Sequence, residues 1–360
     1  MNKRQEGEEF IHLKRVVPVY RLTDGIKQRW LRTVMWRAVD QFADLEPDTN
    51  LGLLDADDSL WLPLAEAFRA VHFPDDLGQT EMARERLALE EFIRFQRQIR
   101  ERRKIFQAKV KALPCGGDGR LMTPFLNALG FTFTGAQQRA WDEIAHGMAG
   151  SYPMRRLLQG DVGSGKTVVA VTALLTAVRG GHQGAFMAPT EVLAEQHYLG
   201  VAELLDGMTV PDPATLLGHR PLKVDLLTNR TTAAERRRIA AELVAGGGDV
   251  LIGTHALIQE GVEFGSLGVV VIDEQHRFGV GQRLMLASKG KRAPHVLAMT
   301  ATPIPRTLTL AQYGELDVSK LDELPPGRQA IDTVVMGQEK LAALVDRLAA
   351  QMAEGRQAYW

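Results

Sequence analysis

The stretch Leu157-Leu158-Gln159-Gly160-Asp161-Val162-Gly163-Ser164-Gly165-Lys166-Thr167 constrains this chain more than any other. An apolar run enters Gly160, four residues lead to Gly165-Lys166-Thr167, and the residues from Val168 to Val178 have the composition of a helix. That pattern, set between a strand and a helix, is a phosphate-binding P-loop. Glycines let the backbone curl until its N–H groups converge on phosphate oxygens, and the helix N-terminus adds partial positive charge. On this reading Gly160, Asp161, Val162, Gly163, Ser164, Gly165, Lys166 and Thr167 form an ATP cradle. Lys166 pairs the β and γ phosphates, and the Thr167 hydroxyl ligates Mg2+. A chance glycine-rich turn is the competing reading, and the flanking strand and helix weigh against it.

The rest of this region alternates short apolar runs with helical patterns. Residues Arg156 to Gln159, Ala185 to Ala188, Val224 to Leu227, Val250 to Gly253, Val269 to Asp273 and Val296 to Thr300 read as strands. The alternation predicts an α/β fold with a doubly wound, mostly parallel sheet. Leu267-Gly268-Val269-Val270-Val271-Ile272 lacks polar alternation, as a strand buried on both faces should.

Ligands bind such sheets at the carboxyl ends of the strands, so the residues there carry the chemistry. Val271-Ile272-Asp273-Glu274-Gln275-His276 places two carboxylates at one such end. Asp273 is expected to hold Mg2+ with Thr167, and Glu274 to polarise the attacking water. Thr300-Ala301-Thr302-Pro303 follows the next strand, where Thr300 and Thr302 can sense the γ-phosphate or Glu274. Thr190, Thr254 and His255 also follow strands and offer hydroxyls and helix N-termini to the phosphates of a polynucleotide. Upstream, Phe131-Thr132-Phe133-Thr134 leads to Gln137, whose amide has the donor and acceptor pattern to read an adenine edge. A helix cap is the bland alternative for Gln137.

The amino-terminal third is different. Val16 to Tyr20 reads as the end of a β element, and a helix through Ile26, Trp30, Val34 and Ala38 follows, with Thr23 and Asp24 as cap candidates. Glu46 to Ser59 is an acidic loop, Leu62 to Val71 a short helix, and Glu81 to Lys111 a long one without Gly or Pro. That long helix holds ten basic and five acidic residues, so it is either a phosphate-facing patch or a spacer. Pro114 to Gly119 breaks the chain before the P-loop domain. After residue 330 an apolar strand Ile331 to Val335, a helix through Leu341, Leu344, Val345 and Leu348, and a strand edge at Gln357 to Trp360 start a new α/β unit.

Composition narrows the setting. The single Cys115 excludes an internal disulfide and a Cys-based zinc site. No apolar run approaches the roughly 20 residues that span a bilayer, and Met1 to Phe10 is charged, so a cytoplasmic location without membrane contact is expected. Net charge is −1, so nucleic acid would be met by local patches.

Together these segments resemble superfamily 2 helicase motors, and more narrowly RecG-type DNA helicases. The P-loop segment is similar to that family's motif I, Met187 to His197 to motif Ia, Gly253 to Gln259 to motif Ib, Asp273 to Val280 to motif II, Met299 to Leu308 to motif III, and Asp322 to Arg328 to a further family stretch. The resemblance implies a RecA-like motor domain and an ATP- and Mg2+-dependent enzyme that remodels Holliday junctions and stalled forks in DNA repair and recombination. It implies a coupling role for His276 beside Thr300 and Thr302, branched DNA as partner, and a monomer. By the same resemblance residues 1–75 are the end of a wedge domain, 76–115 a linking helix, 116–330 the ATP-binding domain, and 331–360 the start of a second motor domain. The family's oligonucleotide-binding barrel and its arginine finger are then expected outside this chain, leaving turnover impaired. A catalytically silent nucleotide- and DNA-binding module and a transcription-repair coupling translocase are the alternatives; Gln275 and the Met187 to Glu191 segment favour the RecG type.

Overall fold

The structure, a computed structural model, describes residues 11–12, 16–50, 61–116, 120–274, 278, 286, 289–290, 292–302, 316–323 and 333–359. Seven strands, β1 (Arg155–Gly160), β2 (Gln183–Met187), β5 (Val224–Leu227), β6 (Val250–Gly253), β7 (Leu267–Ile272), β8 (His295–Thr300) and β9 (Asp317–Leu321), form one sheet in the order β5-β6-β2-β7-β8-β1-β9. Every pairing is parallel. A small antiparallel ribbon, β3 (Thr209–Pro211) with β4 (His219–Pro221), stands apart.

Period-two alternation along the strands splits the core between the two faces of the sheet. Val269 and Val271 of β7 and Val250 and Ile252 of β6 pack with α4 (Met122–Ala128), α5 (Gly135–Met148) and α6 (Lys166–Arg179). Val270, Ile272 and Leu251 face the opposite way, towards Ile239 and Leu243 of α8 (Ala233–Ala245). Burying both faces of a strand such as β7 contributes about 1.5–3 kcal/mol for each large aliphatic side chain, and all six of its residues are buried. Helix α6 is buried nearly all round along its middle, which agrees with the apolar run that fills it.

Local chemistry sets where the helices start. Thr134 and Gln137 form a reciprocal capping box for α5, Thr232 and Glu235 another for α8, and the Thr190 hydroxyl accepts from Leu193 N–H to cap α7 (Glu191–Leu204). The long helix α3 (Leu77–Lys109) starts four residues before the expected Glu81, because the Asp76 carboxylate accepts from Gln79 N–H.

Two further helices precede α3: α1 (Gln28–Phe42) packs on α2 (Leu64–His72), and α2 packs on α3, with Leu64, Ala67 and Ala83 buried there and an ion-pair cluster beside them. Arg86 is fully buried; it donates to Asp48 at 2.6 Å, Glu90 at 2.9 Å and Leu62 O at 3.1 Å. At the far end of α3, Arg103 donates to Asp317 of β9 at 2.7 Å, and the Arg155 guanidinium stacks 3.8 Å over the Phe106 ring. The second half of the basic helix is therefore docked on the motor sheet, and at least Arg103 is spent on that docking.

Several expectations need correction. Residues 16–20 form no strand and pair with none of the described strands. Thr23 and Asp24 do not cap α1: Gly25, at φ 83°, turns the chain first, and the helix begins after Lys27. Residues 333–335 and 357–359 are not strands either, while α9 (Leu341–Ala353) does form, with no buried residue. The expected break at 117–119, the strand start at 331–332, Trp360 and most of the acidic loop, 51–60, lie outside the described residues. No described helix is long and apolar enough to cross a membrane.

A nucleotide site and a second edge on one sheet

Because all seven strands run the same way, their carboxyl ends open on one edge of the sheet, where loops rather than strands meet the ligand. Read along that edge, the segments carrying Asn229, then Thr254 and His255, then Thr190 follow β5, β6 and β2. Asp273 and Glu274 follow β7, Thr300 and Thr302 close and follow β8, and the P-loop follows β1. The residues expected to act on nucleotide thus share the β7-β8-β1 half, and those expected to meet a polynucleotide share the β5-β6-β2 half.

The P-loop is shaped by its glycines. Gly163 and Gly165 lie at φ 78° and 85°, where only glycine sits without strain. A Cβ on Gly160 would come 2.6 Å from Ser164 Oγ, so the turn closes only without a side chain there. The Lys166 ammonium folds back and donates to the carbonyls of Gly160 and Asp161, each at 2.8 Å. Burial pulls its pKa below the ordinary lysine value, against the opposing charges of Asp273, Glu274 and Asp161. Ser164 Oγ is buried and has no hydrogen-bond partner among the described residues. Asp161 and Val162 form the exposed tip of the loop, and Thr167 is half-buried in the first turn of α6.

Gln137 is 2% exposed and its amide is engaged at both ends: Oε1 accepts from Thr134 N–H at 2.9 Å and Nε2 donates to Ser164 O at 2.9 Å. The expected adenine contact is thus not made ready; the amide serves as both helix cap and strut of the P-loop.

Asp273 is 8% exposed. Its N–H donates to Met187 O at 2.9 Å, its Oδ1 accepts from Glu274 N–H at 3.0 Å, and its Oδ2 accepts from His197 Nε2 at 2.8 Å. Glu274 has φ 48°, the one left-handed non-glycine among the described residues, a conformation that costs on the order of 1–3 kcal/mol and clusters at functional sites. Thr300 is buried between the ends of β7 and β1, 2.9 Å from Thr302 Oγ1, and its hydroxyl accepts from Thr302 N–H at 3.2 Å.

On the other half, Thr190 is exposed at the N-cap of α7, and His255 is exposed with its Nε2 accepting from Asn229 Nδ2 at 3.3 Å. Thr254 departs from the expectation: it is 1% exposed, and its Oγ1 points inward without a partner among the described residues. Its hydroxyl therefore cannot reach a phosphate in this conformation, because the strand end tucks under the turn at His255–Ile258. His276 lies outside the described residues, as do 303–310 and 324–328.

Sequence reasoning missed His197. It sits three residues after Ala194 and four before Val201, both buried on the sheet-facing stripe of α7, and a histidine on such a stripe was the available signal.

Comparison with known proteins places this geometry. The DEAD/DEAH box helicase family matches residues 134–311. The ATP-dependent DNA helicase RecG of Synechocystis is 44% identical over 96% of this chain and 40% of its own length. RecG of Streptococcus pneumoniae is 42% identical over 95% and 49%, and RecG of Thermotoga maritima 41% identical over 99% and 43%. A structure of RecG bound to a three-way DNA junction superposes with a TM-score of 0.73 at 39% identity, covering 95% of this chain and 44% of that one. Over nearly all of its length the chain is similar to RecG-type helicases. It spans between 40% and 49% of the length of these curated relatives. The likeness extends from the motor sheet back through the helical region, so the RecG-type match is not confined to the motifs of the nucleotide edge.

Proposed function

We propose that this chain supplies the first RecA-like motor domain and its helical attachment to a cytoplasmic, monomeric ATP-dependent DNA helicase that remodels branched DNA, forks and Holliday junctions, in repair and recombination. The observation that carries the reading is the juxtaposition of the P-loop, Asp273-Glu274 and Thr300-Thr302 on three adjacent parallel strand ends, beside a second run of strand ends free for a polynucleotide.

The residues fit a magnesium nucleotide: the glycine cradle leaves no room for a Cβ at Gly160, and a hydroxyl and a carboxylate are hard oxygen donors. Thr167 and Asp273 would hold the Mg2+, which, when bound, neutralises charge on the β and γ phosphates. Phosphate oxygens are stronger acceptors than the two carbonyls now held by Lys166, so nucleotide draws the ammonium outward. Gln137 keeps the Ser164 carbonyl turned away from the phosphates; an adenine contact from the same amide requires giving up one of its two bonds. Glu274 accepts a proton from the attacking water, and the Thr300-Thr302 pair relays the state of the γ-phosphate to the polynucleotide half, where Thr190 and His255 meet the backbone. His276 shares that coupling role by its place in motif II.

The test is Glu274→Gln in the full-length parent protein. Hydrolysis is expected to fall by about 10²-fold or more, the usual contribution of a general base, with nucleotide binding retained. Unchanged hydrolysis would remove the role given to Glu274. Nucleotide binding by the full-length parent with no turnover, with or without forked DNA, would favour the silent-module reading.

A further inference from the structure

We propose that His197 is a positioning residue for the Mg2+-ligating carboxylate of Asp273, so that the affinity of the nucleotide site for divalent cation depends on the Nε2–H of this histidine. The inference rests on the reading that Asp273 holds the metal.

The histidine is itself firmly placed. Its ring packs on Phe186 with centroids 4.6 Å apart and planes tilted by 44°, and Phe186 is fully buried in β2. Its backbone belongs to the second turn of α7, whose first turn is capped by Thr190. Ala194 and Val201 anchor the same helix face against the sheet. Asp273 stands just past the end of β7, with its N–H on Met187 O and its Oδ1 taking Glu274 N–H, so the contact from His197 to Oδ2 completes the orientation of the carboxylate.

The contact at 2.8 Å joins two mostly buried side chains. A carboxylate oxygen accepts only, so Nε2 carries the proton in this pair. Oδ2 thus receives the imidazole N–H and Oδ1 receives Glu274 N–H at 3.0 Å. Each oxygen has about two lone-pair directions, so one on each remains for a cation. The imidazole presents one N–H to Oδ2 from a ring fixed against Phe186, which sets the direction of the carboxylate. Partners of this kind fix the metal ligands they touch, and losing one typically lowers metal affinity 10- to 100-fold. Helix α7 also begins at Thr190, on the polynucleotide half, so the same rigid element touches both halves of the edge.

The experiment uses the 360-residue chain and a fluorescent ATP analogue, titrated first in chelator and then against Mg2+. His197→Phe keeps a ring against Phe186 but has no donor; His197→Asn keeps an N–H donor on a shorter arm. The Mg2+ concentration for half-maximal tightening of nucleotide binding is expected to rise 10- to 100-fold in the phenylalanine variant, with affinity in chelator close to wild type, and to recover in part in the asparagine variant. Should the phenylalanine variant fail to fold, His197→Ala is read in the same way. Half-maximal tightening at the wild-type Mg2+ concentration overturns the proposal, as does an equal loss in chelator and in Mg2+, which is the mark of a merely structural residue. Asp273→Asn separates the two levels: if it leaves the Mg2+ requirement unchanged, Asp273 is not the ligand, and the underlying reading falls together with the proposal.

Discussion

Arg86 shows how much one residue can decide. A guanidinium with no exposed surface is tolerable only because Asp48, Glu90 and the Leu62 carbonyl surround it. Asp48 in turn accepts from Leu64 N–H at 2.8 Å, which links the charge to the start of α2. Removing one partner of a buried ion pair costs about 3–5 kcal/mol, because the charges left behind stay desolvated. Arg86→Ala is therefore expected to lower the stability of the helical region by about that amount, measured by chemical denaturation followed in the far ultraviolet. A loss under about 1 kcal/mol would mean that water reaches the pair. In the one-dimensional chain Arg86 is one of ten basic residues of a long helix and nothing marks it out. The P-loop residues, by contrast, were legible because each glycine and the Lys166-Thr167 pair answer to a fixed local geometry.

At the level of elements, the segment before the motor is fastened to the amino-terminal edge of the sheet by His295, the first residue of β8. Its Nδ1 accepts from Met154 N–H and its Nε2–H donates to Leu113 O, both at 2.9 Å. Burial holds its pKa below the ordinary 6.5; the Leu113 carbonyl opposes this, and nearby His182 adds to it. The folded state therefore binds the proton less readily than the unfolded chain. Stability from this group is complete above about pH 6.5 and is lost as pH falls below it, by up to about 1.4 kcal/mol per pH unit. His295→Gln, which can still donate and accept, is expected to flatten that part of the curve of denaturation midpoint against pH. A curve as steep as wild type would show that other groups, such as His182 and His72, carry it. Elements also mark where sequence reading stopped. The six strands with apolar runs were legible, whereas β9, with Asp317, Ser319 and Lys320 among its five residues, was not, because its identity comes from pairing with β1. Residues 16–20 and 333–335 have strand-like composition but pair with no strand among the described residues.

For the whole chain, a net charge of −1 gives no net attraction to DNA, and on the β5-β6-β2 half Thr190 and Asn229 are uncharged while Arg230 is paired with Glu191 and Glu195. Neutral donors release few counterions, so the affinity for a forked oligonucleotide is expected to fall gently with salt, with a slope of log K against log salt of about −2 or shallower. Fluorescence anisotropy between about 50 and 200 mM salt measures it. A slope steeper than about −5 would place phosphates along the basic face of α3 instead, at several cations at once. The fold class and the candidate nucleotide residues were legible in the chain, because the P-loop, the unbroken apolar run of β7 and the place of Asp273-Glu274 after it are patterns within a few residues. Tertiary contacts set the strand order that divides the edge into two halves, the inward turn of Thr254, the bond from Gln137 to Ser164 O and the bond from His197 to Asp273. Those depend on which distant segments are brought within hydrogen-bonding distance, and no local pattern of residues encodes that.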